Sequence, residues 1–171
     1  MGLGLRTPIC NVCLRSGILC QGCENKLKEG RISELDIKIS RTLFEIAQKR
    51  RGLEKINFKH AISTSGLIVL MVGKGEIRFA VGVGGKVVRE LENQLQTKIR
   101  LIEEGAQTRK LAQDILTPAK VLGVNVLYSD GKEEHRVRVP RPHLKRLPAN
   151  VKGIQALLTK LTNKNITVVF E

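Results

Sequence analysis

Four cysteines near the beginning of the 171-residue chain constrain its fold most strongly. They follow the spacing Cys10-x2-Cys13-x6-Cys20-x2-Cys23, and the rest of the sequence has none. Each C-x2-C pair can turn two thiolates toward one ion, and two pairs complete a tetrahedral sulfur site that leaves no position for water. We therefore predict one structural Zn²⁺ ion bound by all four cysteines.

Two disulfides or two redox pairs are the alternative that these cysteines allow. No secretion signal and no redox-type βαβ pattern accompany them, which favours the metal. The gap of six residues is shorter than the about 15–20 found in many two-knuckle zinc sites, so we expect a compact zinc knuckle. A knuckle with few apolar residues could hardly fold without its metal. Those residues are Ile9, Val12, Leu14, Ile18 and Leu19.

The charge of the chain is strongly positive, since 30 Lys and Arg residues stand against 16 Asp and Glu residues, a net charge of +14. Such an excess favours a polyanionic partner, because neutralising phosphates releases their condensed counterions. The alternative is a charged surface of the thermophile type, which usually balances Glu and Lys. With 42% hydrophobic and 3% aromatic residues, we expect a folded protein that has an aliphatic core and contacts nucleic acid.

A membrane partner is not expected. The longest apolar run, Leu67–Val72, is far below the roughly 18–20 residues that a membrane span needs. No signal-peptide pattern opens the sequence, and we expect a cytoplasmic protein. The start Met1-Gly2 suggests myristoylation, but Arg6 stands where that motif requires Ser or Thr.

Two copies of one α/β unit follow the cysteines and a polar linker at Lys26–Arg31. The first copy is predicted as a helix from Ser33 to about Lys49, strands around residues 56–60 and at Leu67–Val72 joined by a turn at Ser63–Gly66, helical turns at Lys74–Val81, a glycine break, a helix from Lys86 and a strand at Lys98–Glu103.

The second copy repeats this order. It is predicted as a helix at Gln107–Leu116, strands at Val121–Tyr128 and Glu134–Val139 around a turn at Ser129–Gly131, a short helix at Pro142–Leu147, a break at Pro148–Asn150, a helix from Val151 and a strand at Ile166–Phe170. We therefore predict an α+β protein with three parts: residues 1–30 as knuckle and linker, residues 31–104, and residues 105–171.

The break in the first copy reads Gly82-Val83-Gly84-Gly85-Lys86. A Walker loop would need Gly at Ala80 and Ser or Thr at Val87, and a dinucleotide fingerprint would need Gly at Val87. The remaining pattern is G-x-x-G between two short helices, where glycines let a nucleic-acid backbone approach closely. The alternative is a tight helix–helix turn without a ligand.

The run LIVLMVGKGEIRFAVGVGGKVVRELE, at Leu67–Glu92, resembles the type II KH unit of NusA-like transcription factors. The stretch LTPAKVL, at Leu116–Leu122, is similar to the joint between the two KH units of the archaeal members. The resemblance covers about residues 32–171, and the four cysteines resemble those of a short archaeal subgroup described as transcription elongation factors. It implies two tandem type II KH domains (α-β-β-α-α-β) that act with RNA polymerase on nascent transcripts in elongation or termination.

This resemblance implies that the glycine loop contacts the backbone of single-stranded RNA. The residues concerned are Gly82, Val83, Gly84, Gly85, Lys86 and Arg89, with Val81 and Val87 as the floor of the base groove or, alternatively, as core. The second copy has Pro148-Ala149-Asn150-Val151 at this position, without glycine, so its KH unit is expected to be degenerate.

Seven Lys and Arg residues surround that second loop, against two Glu residues. They are Lys132, Arg136, Arg138, Arg141, Lys145, Arg146 and Lys152, and they form either an electrostatic patch or an ordinary solvated face. The three histidines, His60, His135 and His143, lack ligand spacing and are interpreted as surface or strand residues.

No catalytic constellation stands out, so a binding protein without a small-molecule substrate is favoured over an enzyme. The alternative function is a component or assembly factor of the small ribosomal subunit, where KH units and four-cysteine knuckles also occur. A third is a scaffold that holds protein partners. RNA polymerase or a ribosomal subunit would be the macromolecular partner in the first two cases.

Overall fold

The computed structural model describes residues 4–64 and 66–171 and has a mixed α+β architecture. The described residues group into two compact units. The first is drawn from Met1–Ile62 and Val69–Glu104, and the second from Ser63–Ile68 and Gly105–Glu171. The predicted class, α+β, is confirmed, and the three predicted domain boundaries stay predictions.

Eight elements lead up to the end of the first copy. They are α1 (Asn11–Ser16), α2 (Gln21–Lys28), α3 (Glu34–Ala47), β1 (Phe58–Thr64), β2 (Leu67–Val72), α4 (Ile77–Val81), α5 (Lys86–Leu95) and β3 (Lys98–Glu103). The strands form one sheet in the order β1-β2-β3. Strand β2 is almost completely buried, which explains its unbroken apolar sequence.

Helix α3 begins with a capping box. The Ser33 hydroxyl accepts from the backbone N–H of Asp36 at 3.1 Å, and the Asp36 carboxylate accepts from the N–H of Ser33 at 2.9 Å. The second carboxylate oxygen of Asp36 accepts from the N–H of Ala61 in β1 at 2.7 Å. These bonds satisfy a carboxylate that is buried, and they fix the start of α3 against β1.

The second unit contains α6 (Thr108–Leu116), β4 (Gly123–Ser129), β5 (Lys132–Val139), α7 (Val151–Thr162) and β6 (Asn165–Phe170). Strand β5 lies in the middle of its sheet, antiparallel to β4 and parallel to β6. Val137 pairs with Val124 on one side and Val168 on the other. Buried Val137 and Val139 alternate with more exposed Arg136 and Arg138, as the period of a half-buried strand requires.

The four-cysteine segment, Cys10–Cys23, packs on α3 rather than standing alone. Buried Cys13 and Leu14 of this segment, with Ile9 just before it, share one apolar cluster with Ile32 and with Ile37 of α3. Two of the apolar residues predicted to form the knuckle core are in fact on the surface, since Val12 is 67% and Ile18 is 72% exposed. Helix α3 supplies the apolar partners that the short segment lacks.

Several predicted boundaries were wrong by a few residues. The linker predicted at Lys26–Arg31 begins later, because α2 continues to Lys28. Ser63 and Thr64, predicted as a turn, belong to β1, and Ser129 belongs to β4. Helix α4 covers only the second half of the predicted range. The short basic helix predicted at Pro142–Leu147 is a 3-10 helix at Arg141–Arg146, one residue earlier at each end.

None of the helices described is long and apolar enough to cross a membrane.

Candidate metal centre and glycine loop

Each C-x2-C pair forms the start of a short helix. Cys10 and Cys20 are the N-cap residues of α1 and α2, with extended backbone angles, and Cys13 and Cys23 lie within the first helical turn. An N-cap side chain and the side chain three residues later lie on the same side of a helix start. The repeated spacing therefore presents two sulfur atoms from each helix.

The four sulfur atoms form one cluster, in which all lie within 4.8 Å of one another. Cys10 Sγ lies 3.4 Å from Cys13 Sγ and 3.8 Å from Cys20 Sγ. Four sulfurs around a tetrahedral ion at about 2.3 Å are separated by about 3.8 Å, whereas a disulfide requires about 2.05 Å. All four cysteines are free thiols, and their arrangement could hold one metal ion.

Backbone N–H groups support the cluster from both sides. The N–H of Cys10 donates to Cys23 Sγ at 3.4 Å, and the N–H of Cys20 donates to Cys13 Sγ at 3.1 Å. A hydrogen bond from the N–H of Cys23 is the main cause that lowers the pKa of Cys20 to about 6, whereas burial raises the pKa of Cys13 to about 12. Exposed Cys20 thus ionises readily, whereas a thiolate at buried Cys13 needs a nearby positive charge. A metal cation bound by the four sulfur atoms would supply that charge.

The glycine loop, Gly82–Gly85, adopts backbone angles that side chains disfavour. The φ angles of Gly82, Gly84 and Gly85 are 78°, 63° and 73°. A Cβ atom on Gly82 would lie 2.5 Å from a methyl carbon of Val87, whereas Gly84 and Gly85 have no heavy atom nearer than 4.0 Å to such a position. Gly82 therefore permits close packing inside the loop, and Gly84 and Gly85 leave its outer surface open.

The side chains around the loop divide into exposed and packed groups. Val83 is 88% exposed, and Lys86 is exposed at the first position of α5. Val87 is 2% exposed and Val81 is partly buried. Of the two roles that the sequence allowed for these valines, groove floor or core, Val87 therefore fits the core. Arg89 donates to the carbonyl oxygens of Gly84 and Gly85, and it therefore holds the loop as well as adding charge.

A cleft of about 250 Å³ lies beside the glycine loop. It is lined by Gly82, Val83, Lys86, Val87 and the three consecutive basic residues Lys49, Arg50 and Arg51. We call this the basic cleft. The sequence prediction omitted Lys49–Arg51, although three adjacent cations just beyond the end of α3 were a visible signal.

The corresponding loop of the second unit is built differently. Asn150 caps α7, since its side-chain oxygen accepts from the N–H of Gly153 at 2.6 Å. Pro148 is buried, and Ala149 is partly buried. The residues in this loop thus pack inward or cap the next helix.

The basic residues near the second loop are partly paired. Arg136 donates to Glu134 at 3.3 Å, and Arg138 donates to the two carboxylate oxygens of Glu171 at 2.5 and 3.0 Å. The guanidinium of Arg138 lowers the pKa of the Glu171 carboxyl, mainly by these hydrogen bonds. The second unit therefore presents fewer unpaired cations than its sequence suggests.

The histidines do not form a site together. His135 is buried in β5 beside Glu133, with which it forms a hydrogen bond, and His143 Nδ1 accepts from the N–H of Lys120 at 2.9 Å. His60 lies in β1 and is partly buried.

Neither a protein-family model nor a curated protein matches the chain. Among the solved structures, 74 chains match, including one described as the crystal structure of APE1850. That structure has a TM-score of 0.54 and a sequence identity of 19%, and the match covers 77% of this chain and 96% of that chain. At this identity the likeness shows a shared fold and nothing more.

Proposed function

We propose that the protein binds single-stranded RNA through the glycine loop and acts as a NusA-like transcription factor in elongation or termination. The observation that carries the proposal is the uncapped start of α5. Gly85 is the N-cap residue of this helix and supplies no side-chain hydrogen bond. The N–H of Lys86 donates to the carbonyl oxygen of Val83, but the start of a helix still lies at the positive end of its dipole, which attracts a phosphate.

The surroundings of the loop support a backbone contact. Gly84 and Gly85 offer an open surface, Lys86 is exposed directly after them, and the net charge of +14 favours a polyanion. The loop joins two helices that lie between β2 and β3 along the chain. This is the α-β-β-α-α-β order that the resemblance to type II KH domains implies, and the second unit has the same order with a 3-10 helix in place of α4.

The four-cysteine cluster is proposed to hold one Zn²⁺ ion with a structural role. Four thiolates fill a tetrahedral shell, so the ion would have no position for substrate or water. The ion would join α1 to α2 through Cys10, Cys13, Cys20 and Cys23 and thereby fix the segment that packs on α3. When bound, it supplies folding free energy to a segment that has little core of its own.

The RNA contact is tested by adding carboxylates to the glycine loop. Replacing Gly84→Asp together with Gly85→Asp places two negative charges and two side chains where the phosphate is expected. We expect RNA affinity to fall about tenfold or more in a filter-binding titration at 0.1 M salt. An unchanged affinity, with circular dichroism showing an intact fold, would contradict the proposal.

A matched control exists in the second loop. Ala149→Asp together with Asn150→Asp adds the same two charges, and Asp replaces Asn as an N-cap residue at little cost. This control should retain most of the RNA affinity. Crosslinking in cells followed by sequencing then separates the functions, because a transcription factor should map to nascent messages and a ribosomal protein to ribosomal RNA.

A further inference from the structure

The basic cleft brings together cations that are far apart in sequence. Lys49, Arg50 and Arg51 follow the end of α3, and Lys86 opens α5, more than thirty residues later. Lys49, Arg51 and Lys86 are exposed, whereas Arg50 is partly buried. The folded chain therefore surrounds a small cleft with four positive side chains, next to a loop whose glycines expose their backbone.

The acidic groups nearby offset only part of this charge. Arg50 donates to Glu90 of α5 at 2.8 Å, a contact that fixes the end of α3 against α5. Glu54 accepts from the N–H of Gly52 at 2.7 Å, and Lys55 and Arg51 add to the backbone hydrogen bonds that lower its pKa. Among the described residues, neither Lys49 nor Lys86 forms an ion pair, so an excess of positive charge faces the cleft.

We propose that the basic cleft binds a phosphate group of the RNA backbone, adjacent to the phosphate that contacts the glycine loop. This inference rests on the proposed RNA-binding function and extends it to residues outside the G-x-x-G pattern. Lys49, Arg51 and Lys86 supply the neutralising charge, and Gly82 leaves the wall of the cleft without a side chain. The cations after the end of α3 thereby set the direction in which the RNA strand leaves the glycine loop.

A phosphate fits the cleft better than an uncharged ligand. Of the seven residues that line the cleft, four are cations and only Val83 and Val87 have apolar side chains, and Val87 is buried, so positive charge dominates the lining. Several cations from separate elements can contact different oxygens of one phosphodiester, as lysines do when they act as point charges. The structure thus assigns the cleft to the backbone and leaves the bases to other surfaces.

The test reverses the charges on the α3 side alone. Lys49→Glu together with Arg51→Glu leaves the glycine loop and Lys86 intact, and both side chains are exposed, so the fold should persist. Lys74→Glu together with Lys98→Glu is the matched control, since both residues are exposed cations of the first unit outside the cleft. Binding is measured by fluorescence anisotropy with a labelled single-stranded RNA over a series of KCl concentrations.

We expect the cleft variant to lose about tenfold or more in affinity at 0.1 M KCl. The slope of log affinity against log salt should become shallower by about 0.7, because each neutralised phosphate of a single strand contributes about 0.7 and the cleft is proposed to bind one. The control should differ little from the natural protein. Equal affinities and slopes for the cleft variant and the control would overturn the inference, while the Gly84→Asp, Gly85→Asp variant would still test the loop.

A second arm separates RNA phosphate from free phosphate. Inorganic phosphate is titrated into ¹⁵N-labelled protein, and amide shifts are followed at residues 49–51 and 82–87. If the natural protein fails to bind RNA but these amides shift, and Lys49→Glu with Arg51→Glu removes the shifts, the cleft takes free phosphate and the proposed RNA function fails. If neither RNA nor phosphate binds, both proposals are wrong.

Discussion

Helices α5 and α7 occupy equivalent places in the two units, but they begin in different ways. Helix α5 begins at a glycine in the left-handed region, with no side-chain cap, whereas α7 begins at Asn150, which caps it in an extended conformation. One N–H group in the first turn of α7 therefore has a side-chain acceptor, whereas no side chain caps α5, where the N–H of Lys86 donates to the carbonyl oxygen of Val83. Under the proposed function, this difference would make the loop of the first copy a ligand site and the loop of the second copy a structural turn.

The two loops also differ in what surrounds them. The glycine loop lies beside the basic cleft, where the end of α3 adds three cations. In strand β5 of the second unit, Arg136 and Arg138 form ion pairs with Glu134 and Glu171. The first unit therefore brings a glycine loop and a cluster of cations together, although both units are basic. It also contains the four-cysteine segment, which the second unit lacks.

Metal removal should therefore produce the largest difference between the units. We expect about one zinc per chain in freshly purified protein by elemental analysis. On incubation with a strong chelator, amide hydrogen exchange should accelerate in α1, α2 and the adjacent part of α3, because structural zinc can contribute on the order of 10 kcal/mol to folding. Exchange in α7 and β6 should change little.

The replacement Cys13→Ser, which removes a buried thiolate ligand, should reproduce the chelator's effect, whereas Val12→Ser on the exposed surface of α1 should not. Protein that contains no metal, with its cysteines oxidised, would contradict the zinc proposal. Equal acceleration of exchange in α7 would contradict the proposed restriction of the metal's effect to the first unit.

Within the glycine loop, the two kinds of glycine should be separable by stability. Gly82→Ala places a Cβ atom 2.5 Å from a Val87 methyl carbon at a backbone conformation of φ 78° and ψ 168°, so we expect a loss of about 2–3 kcal/mol. Gly84→Ala has open space and an αL backbone, at a cost of about 1 kcal/mol. Urea denaturation measures both.

Ala149→Gly in the second loop is the control for backbone flexibility, and it should cost no more than about 0.5–1 kcal/mol. Equal losses for Gly82→Ala and Gly84→Ala would show that Gly82 does not act through its contact with Val87. The only remaining difference between the two loops would then be that Asn150 caps α7 and no side chain caps α5.

Most of the secondary structure could be predicted from the sequence, because it depends on residues that are close together along the chain. The strands Leu67–Val72 and Lys98–Glu103 have their predicted bounds, and α5 begins at Lys86 as expected. The C-x2-C spacing also sufficed to bring four thiols together, since each pair needs only one helical turn. The errors were confined to element ends, where a Ser or Thr that favours turns can also extend a strand, as in β1.

The features that were missed depend on contacts between distant residues. Nothing near Lys49–Arg51 in sequence shows that Gly82 lies on the other side of their cleft. Likewise, Glu171 at the end of the chain neutralises Arg138, more than thirty residues away, and α3 rather than the knuckle itself buries Leu14. Charge counts along the sequence therefore overstate the basic surface of the second unit and omit the cleft of the first.

The smallest effect is expected from the paired arginines of the second unit. Arg136→Gln together with Arg138→Gln should reduce RNA affinity by less than about twofold, because Glu134 and Glu171 already neutralise both groups and paired surface charges contribute little.

The matched variant Lys145→Gln with Arg146→Gln removes two exposed cations that form no ion pair among the described residues. It should cost slightly more, about two- to threefold, and make the salt dependence shallower. Anisotropy titrations at several salt concentrations compare the two. A larger loss for the paired arginines than for Lys145 and Arg146 would show that RNA displaces the carboxylates, and the second unit would then contribute more to binding than its capped loop suggests.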